Sequence, residues 1–276
     1  PAGRPFIPAR GSRSVTAPES FFVRSTEEEF LPTGLTRGPW DPDAQHGGPP
    51  AALLGRGVEE AAGAADMQVV RLTFEILRPV PLTPLRLTSQ VARPGRRVQM
   101  IDASLSDEEG PVMTARGWVM RMQEIEPVAP DEDRSPPPSH ERGHEVELFD
   151  SQAEVSYLTG MEWRFVRGAF LEPGPATAWL RMRHPLVDGE PVSPLTRVLI
   201  AADSASGISA ALDPKQWLFI NPDLTVYLHR MPEGEWVCLE AATTIESHGI
   251  GAASSRVHDE RGPIGTTGQS LLVAPR

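Results

Sequence analysis

Asp107-Glu108-Glu109-Gly110-Pro111-Val112-Met113-Thr114 and Asp259-Glu260-Arg261-Gly262-Pro263-Ile264-Gly265-Thr266 are two versions of one turn, 152 positions apart. The same offset carries Leu72-Thr73 and Arg78 onto Leu224-Thr225 and Arg230, and Gly55 onto Gly207. A constant spacing through a helix and four strands marks two copies of one unit, each a helix with an antiparallel meander.

Working outward, each copy supplies its elements. In the first, Ala51 to Ala62 is an apolar helix led in by His46-Gly47-Gly48-Pro49-Pro50. Strand candidates follow at Val69 to Val80, Leu85 to Arg93, Val98 to Asp107 and Val112 to Met122, divided by Pro94-Gly95 and Glu109-Gly110-Pro111. In the second, strands at Met161 to Phe170 and Ala176 to His184 precede a helix from Ser193 to Leu212. Ser193 suits an N-cap, Pro194 the first helical position and Asp213-Pro214 the stop, giving about five turns. Strands at Leu224 to Arg230, Glu235 to Glu246, Ile250 to His258 and Ile264 to Val273 complete the copy. Ahead of the first copy, Phe21-Phe22-Val23 and Glu29 to Trp40 are expected to pair as a hairpin through Pro32-Thr33-Gly34. The expected organisation is a flexible arm (1–20), a first unit (21–123), a Pro-rich linker (124–148) and a second unit (149–276).

Composition narrows the class. The net charge of the 276 residues is −11, against a nucleic-acid partner that would need a basic stripe. Lys215 is the only lysine, and Cys238, alone, permits no internal disulfide and fits a reducing cytoplasm. No apolar run is long enough to span a bilayer, and residues 1–20 lack the apolar centre of a signal peptide. The His residues and Cys238 show no metal-ligand spacing.

The repeat also serves as an internal control. Asp203 falls on Ala51, Asn221 on Val69 and Gln269 on Gly117. The second copy thus carries hydrogen-bonding side chains, inside apolar segments, where the first carries small or apolar ones. A carboxylate in the middle of an apolar helix needs polar partners, a wet cavity or a proton. One bland reading pairs Asp203 with Arg197 or Arg230 as a structural ion pair. The other is a catalytic site kept in one half.

The two-copy layout resembles the type II acyl-CoA thioesterases. So do Ala202-Asp203 in its apolar helix, the run Asp223-Leu-Thr-Val-Tyr-Leu-His229-Arg230, and the closing Thr266-Thr-Gly-Gln269-Ser-Leu-Leu. The resemblance implies an α+β tandem (double) hotdog: two curved antiparallel sheets, each wrapped around a central helix, with the site in the second. It implies hydrolysis of an acyl-CoA by a water held by an Asp, a Thr and a Gln, here Asp203, Asn221 and Gln269. Asn221 departs from the family's Thr, and Thr225 is the substitute candidate. His46, Gly47, Gly48 and Arg230 are candidate substrate-binding residues, although His46-Gly47-Gly48 also reads as a tight turn and Arg230, matched by Arg78, as a structural residue. Oxyanion donors are expected from backbone N–H groups near the start of the central helix. No Ser-His-Asp arrangement is evident, which disfavours an acyl-enzyme. The implied partner is acyl-CoA, with CoA as part of the substrate and no further cofactor or metal, in a homodimer or higher homo-oligomer. Two alternatives stand beside this: an enoyl-CoA hydratase or dehydratase, for which a His beside Asp203 is missing from the segment, and a non-catalytic acyl-CoA or acyl-carrier binding protein.

Overall fold

The computed structural model describes residues 19–126, 135–145, 155–170, 172–213 and 215–276. The first half contains β1 (Phe22–Arg24), β2 (Glu29–Pro32), α1 (Gly48–Ala62), β3 (Met67–Ile76), β4 (Leu85–Arg93), β5 (Val98–Asp107) and β6 (Gly110–Arg121). The second contains α2 (Tyr157–Gly160), β7 (Met161–Arg167), β8 (Ala176–Met182), α3 (Pro194–Ala202), α4 (Ala205–Ile208), β9 (Trp217–Ile220), β10 (Asp223–Leu228), β11 (Val237–Ile245), β12 (Ile250–Asp259) and β13 (Gly262–Pro275). All join one 13-stranded antiparallel sheet in the order β1-β2-β4-β5-β6-β3-β10-β13-β12-β11-β8-β7, with β9 on β13. The sheets of the two halves meet where β3 pairs with β10, and the helices pack on the inner side of the continuous layer. This is the tandem hotdog, an α+β fold.

The repeat is visible in the register. Thr73 faces Thr225, with Oγ1 atoms 3.2 Å apart across a separation of 152 residues. Phe74 faces Leu224 and Leu72 faces Val226, so each pairing has its mirror and an approximate two-fold passes through the threonines. The same axis passes between the helices. Gly48 lies so close to the carbonyl of Ile200, its mate in the repeat, that no Cβ would fit there. Leu72, Phe74, Leu224 and Val226 all point into one core shared by both halves.

The long helix expected from Ser193 to Leu212 is two pieces. Ser193 caps α3 as expected, its Oγ accepting from Thr196 N–H at 3.1 Å. The helix ends at Ala202, with Asp203 at its C-cap. Tyr157 Oη donates to Ile200 O (2.8 Å) and also meets Ser204 Oγ (2.8 Å), while Ser204 N–H takes Ala201 O instead. That tightened turn breaks the ladder at Asp203, and α4 follows as a separate short helix.

Two further expectations change. The strand expected over Glu29 to Trp40 stops at Pro32, because Thr33 caps a 3₁₀ turn over Gly34–Thr36. Part of the linker is docked: Pro138 O accepts from Trp179 Nε1 (2.8 Å), and His140 stacks on Trp236 at 4.5 Å. Linker residues 127–134 and 146–148 lie outside the described residues, as does 1–18 of the arm. At the arm's end Ser20, Phe21 and Phe22 are buried, and Phe21 and Phe22 N–H groups donate to Pro185 O and Leu186 O of the second half. Among the described residues no helix is long and apolar enough to cross a membrane.

Candidate active site

Three elements of the second half and one loop of the first converge on Asp203. Asp203 stands at the break after α3. Asn221, in the Asn-Pro step between β9 and β10, donates from Nδ2 to Asp203 Oδ1 at 2.8 Å. Gln269 points inward from β13 and donates from Nε2 to the same oxygen at 3.0 Å. Its Oε1 accepts from Ser206 N–H at 3.2 Å, which fixes the orientation of the amide. Of the three residues singled out by the repeat, Asn221 and Gln269 therefore meet on one oxygen of Asp203.

The first half supplies the other side. Gly47 N–H donates to the Asp203 carboxyl, and a Cβ on Gly47 would stand 2.7 Å from Oδ2. Only glycine allows this approach. His46 Nδ1 lies 3.4 Å from Oδ2 and accepts from Gly48 N–H at 3.0 Å. A ring nitrogen that accepts carries no proton, so the proton of the neutral ring is on Nε2. Nε2 has no hydrogen-bond partner among the described residues. The ring stacks on Tyr157, with centroids 3.8 Å apart and planes 11° off parallel.

Burial governs the charges. Asp203 is 8% exposed, and burial pushes its carboxyl up to about 6 against the pull of the Asn221, Gln269 and Gly47 donors. Burial lowers His46 to about 3. The 3.4 Å contact is then between a neutral imidazole and a carboxyl, not an ion pair. Burial also raises the Tyr157 hydroxyl, which stays a neutral donor.

Asp203 lies in the wall of a cavity of about 520 Å³, lined also by His46, Gly47, Tyr157, Ser206 and Gly207. Trp163 and Phe170 face each other within it edge-on, centroids 4.9 Å apart. Trp40, Leu77 and Arg78 line it too. The size suits a small-molecule site.

Several expected residues fall elsewhere. Thr225 lies on the opposite sheet face from buried Leu224 and Val226, so it is not near Asp203. Arg230 does not line the cavity. Its guanidinium is held by both oxygens of Asp259 and by Gly262 O and Pro263 O, just as Arg78 is held by Asp107. That leaves Arg230 the structural job shared by the repeat. Arg197 donates to Gly234 O and Val192 O, so neither proposed arginine pairs with Asp203. The start of α3 offers no oxyanion donors to the cavity: Pro194 has no N–H, the Thr196 N–H is taken by Ser193 Oγ, and none of residues 193–197 lines it. The start of α1 offers few: Pro49 and Pro50 have no N–H, and those of Gly47 and Gly48 are engaged. Sequence reading missed Tyr157, Ser204 and the meeting of His46 with Asp203. At the 152-residue offset Tyr157 falls on Pro5, outside the described residues. His46 was suspected, but its neighbour lies in the other half.

Residues 129–273 match the family model for an acyl-CoA thioesterase C-terminal domain, and residues 36–120 that for the N-terminal domain. A candidate thioesterase II from Thermobifida fusca YX has the same fold, with a TM-score of 0.71 at 18% identity over 93% of this chain and 96% of that one. A candidate thioesterase from Novosphingobium aromaticivorans DSM 12444 gives 0.68 at 22% identity, over 91% and 98%. An acyl-CoA thioesterase II from Mycobacterium marinum gives 0.64 at 13% identity, over 92% and 95%. No curated protein matches the chain.

Proposed function

The chain belongs to the acyl-CoA thioesterase family, and we propose that Asp203 is the general base for direct attack of water on an acyl-CoA thioester. The observation that carries this is a buried carboxyl with one oxygen pinned by two amides and the other turned toward His46 and Gly47 beside the cavity. Asn221 and Gln269 act first on the carboxyl itself. Their donors steer Oδ1 and oppose the rise in its pKa. Oδ2 and the Oδ1 of Asn221 are the acceptors for the hydrogens of the water.

The steps balance without a covalent enzyme intermediate. Asp203 takes a proton from the water as its oxygen bonds to the thioester carbon. The resulting oxyanion is met by His46 Nε2–H, a neutral donor whose tautomer Gly48 N–H fixes. Collapse breaks the carbon–sulfur bond, and Asp203 returns its proton to the departing CoA thiolate. A base near pH 6 is ionised at neutral pH yet still takes a proton in the transition state. CoA is part of the substrate in this reading, and no other cofactor takes part.

The 3.4 Å approach of His46 to Asp203 gives the hydratase alternative the histidine that its sequence segment lacks. With Nδ1 engaged by Gly48 N–H and the ring held neutral, His46 is a poor proton carrier, which favours hydrolysis. Thiol release from a panel of acyl-CoAs, with crotonyl-CoA hydration assayed alongside, tests the proposal. Hydrolysis by the wild type with a fall of about 10²–10⁴-fold in Asp203→Asn is expected. Hydration without thiol release, or full hydrolysis by Asp203→Asn, overturns it.

A further inference from the structure

Gly207 is a glycine that nothing in its surroundings requires. It lies in α4 with no positive φ, and a Cβ built there would meet no atom of the described residues within 4 Å. Within a helix, glycine is less favourable than alanine. Its mate Gly55, in α1, is explained by packing: Leu199 Cδ1 lies directly against it and leaves no room for a Cβ, with Leu195 Cδ2 beside it at 3.6 Å.

The repeat shows where the equivalent of Leu199 has gone. Leu199 falls on Gly47, and the whole of Pro194–Leu199 falls on residues 42–47. In α3 those positions are helical and lay two leucines over Gly55. In the first half they are the irregular approach to α1, which begins only at Gly48. The volume over Gly55 is filled by the isobutyl group of Leu199. Among the described residues the matching volume over Gly207 is open, and Gly207, Gly47 and Asp203 line the same cavity. Beyond it the cavity wall includes Leu158, Trp163, Phe170 and Ala210, all apolar.

We propose that the acyl group of the substrate lies over Gly207, in the space that Leu199 fills over Gly55 in the other half, and is an aliphatic group with the bulk of a leucine side chain next to the carbonyl. Gly207 is then the residue that sets acyl specificity. This assignment rests on the hydrolysis proposed above. An isovaleryl group, an isobutyl chain on a carbonyl, reproduces what the closed half holds.

The test is kcat/KM on acetyl-, isovaleryl-, hexanoyl- and benzoyl-CoA for the wild type, Gly207→Ala and Gly207→Leu, with the Tm of each. Each buried CH₂ gains about fourfold, so the wild type should prefer isovaleryl- to acetyl-CoA by tens-fold. Gly207→Leu should cut that ratio by about 100-fold or more, and Gly207→Ala by about three- to tenfold at a Tm no lower than the wild type's. A wild type that favours acetyl-CoA, or variants that slow every substrate alike or none, overturns the subsite. If the wild type hydrolyses nothing, the hydrolase reading fails separately, and affinity decides the subsite. Tighter binding of isovaleryl-CoA than of CoA, lost in Gly207→Leu, sustains it; equal binding overturns it.

Discussion

The two halves of this molecule are one unit folded twice, closed over Gly55 by Leu199 in the first and, among the described residues, open over Gly207 in the second. β4, β5 and β6 begin at Leu85, Val98 and Gly110, and their mates β11, β12 and β13 at Val237, Ile250 and Gly262, so the scaffold is the same. What differs is local. Where the second half has Asp203, Asn221 and Gln269, the first has Ala51 and Val69, both buried, and Gly117, where a Cβ would stand only 3.0 and 3.1 Å from Val58 Cγ1 and Leu72 Cδ2. Where the first half has the loop leading to Gly47, the second has the helical turns that carry Leu195 and Leu199. The site thus arises as much by removal as by addition: a helix started six residues late, a leucine reduced to glycine and a helix broken at Asp203. The closed half keeps the core that the open half gives up.

The largest test of that contrast is Leu199→Ala. It empties the closed half over Gly55, and loss of a fully buried leucine is expected to lower stability by about 2–5 kcal/mol, measured by denaturant unfolding. A loss near zero would mean that the closed half is not packed as described.

His46→Phe is next. Wild-type His46 stays neutral in the fold down to about pH 3, whereas the unfolded chain protonates near 6.5, so His46 removes stability as pH falls below 6.5. Asp203 acts oppositely. Its folded value near 6 lies above its ordinary 3.8, so it adds stability as pH falls from 6 towards 4. The two largely offset each other in the wild type. Removing the histidine should leave the Asp203 trend exposed, with a gain relative to wild type of about 3 kcal/mol at pH 4. Parallel pH–stability curves for the two proteins would contradict the burial of His46.

Asn221→Ala removes a charged hydrogen bond of about 1.5–3 kcal/mol from Asp203 Oδ1. Thiol release near neutral pH should fall by about 10- to 100-fold and its acidic limb should move to higher pH, because the carboxylate loses a donor. Asn221→Thr, which restores the residue type of the resembled family, should recover part of the rate. Gly207→Ala is the smallest change. It should raise stability by about 0.5–1 kcal/mol, because alanine improves the helix and meets no neighbour.

The fold was legible because both copies retain the same turn chemistry. Asp107 and Asp259 each accept an arginine and cap a Gly-Pro turn, so their spacing survived where most of the sequence diverged. The match to Arg78 offered a structural reading of Arg230 beside the substrate-binding one, and the Asp259 pair is what the structure shows. Asp203, Asn221 and Gln269 stood out because their mates are apolar. The break at Asp203 was illegible, since it depends on Tyr157, a residue 43 positions from the Ile200 carbonyl it takes. The contact of His46 with Asp203 was illegible for a like reason, because it exists only once the halves join. Thr225 was misjudged although alternation with Leu224 and Val226 puts it on the outer face.

The most direct measurement is kcat/KM for thiol release by the wild type between pH 4.5 and 9. A buried Asp203 acting as base in the open half predicts a tenfold fall per pH unit below about 6 and a plateau above it, with no second limb from His46. A rate that holds level down to pH 4.5, or one that rises only through pH 8, would contradict it.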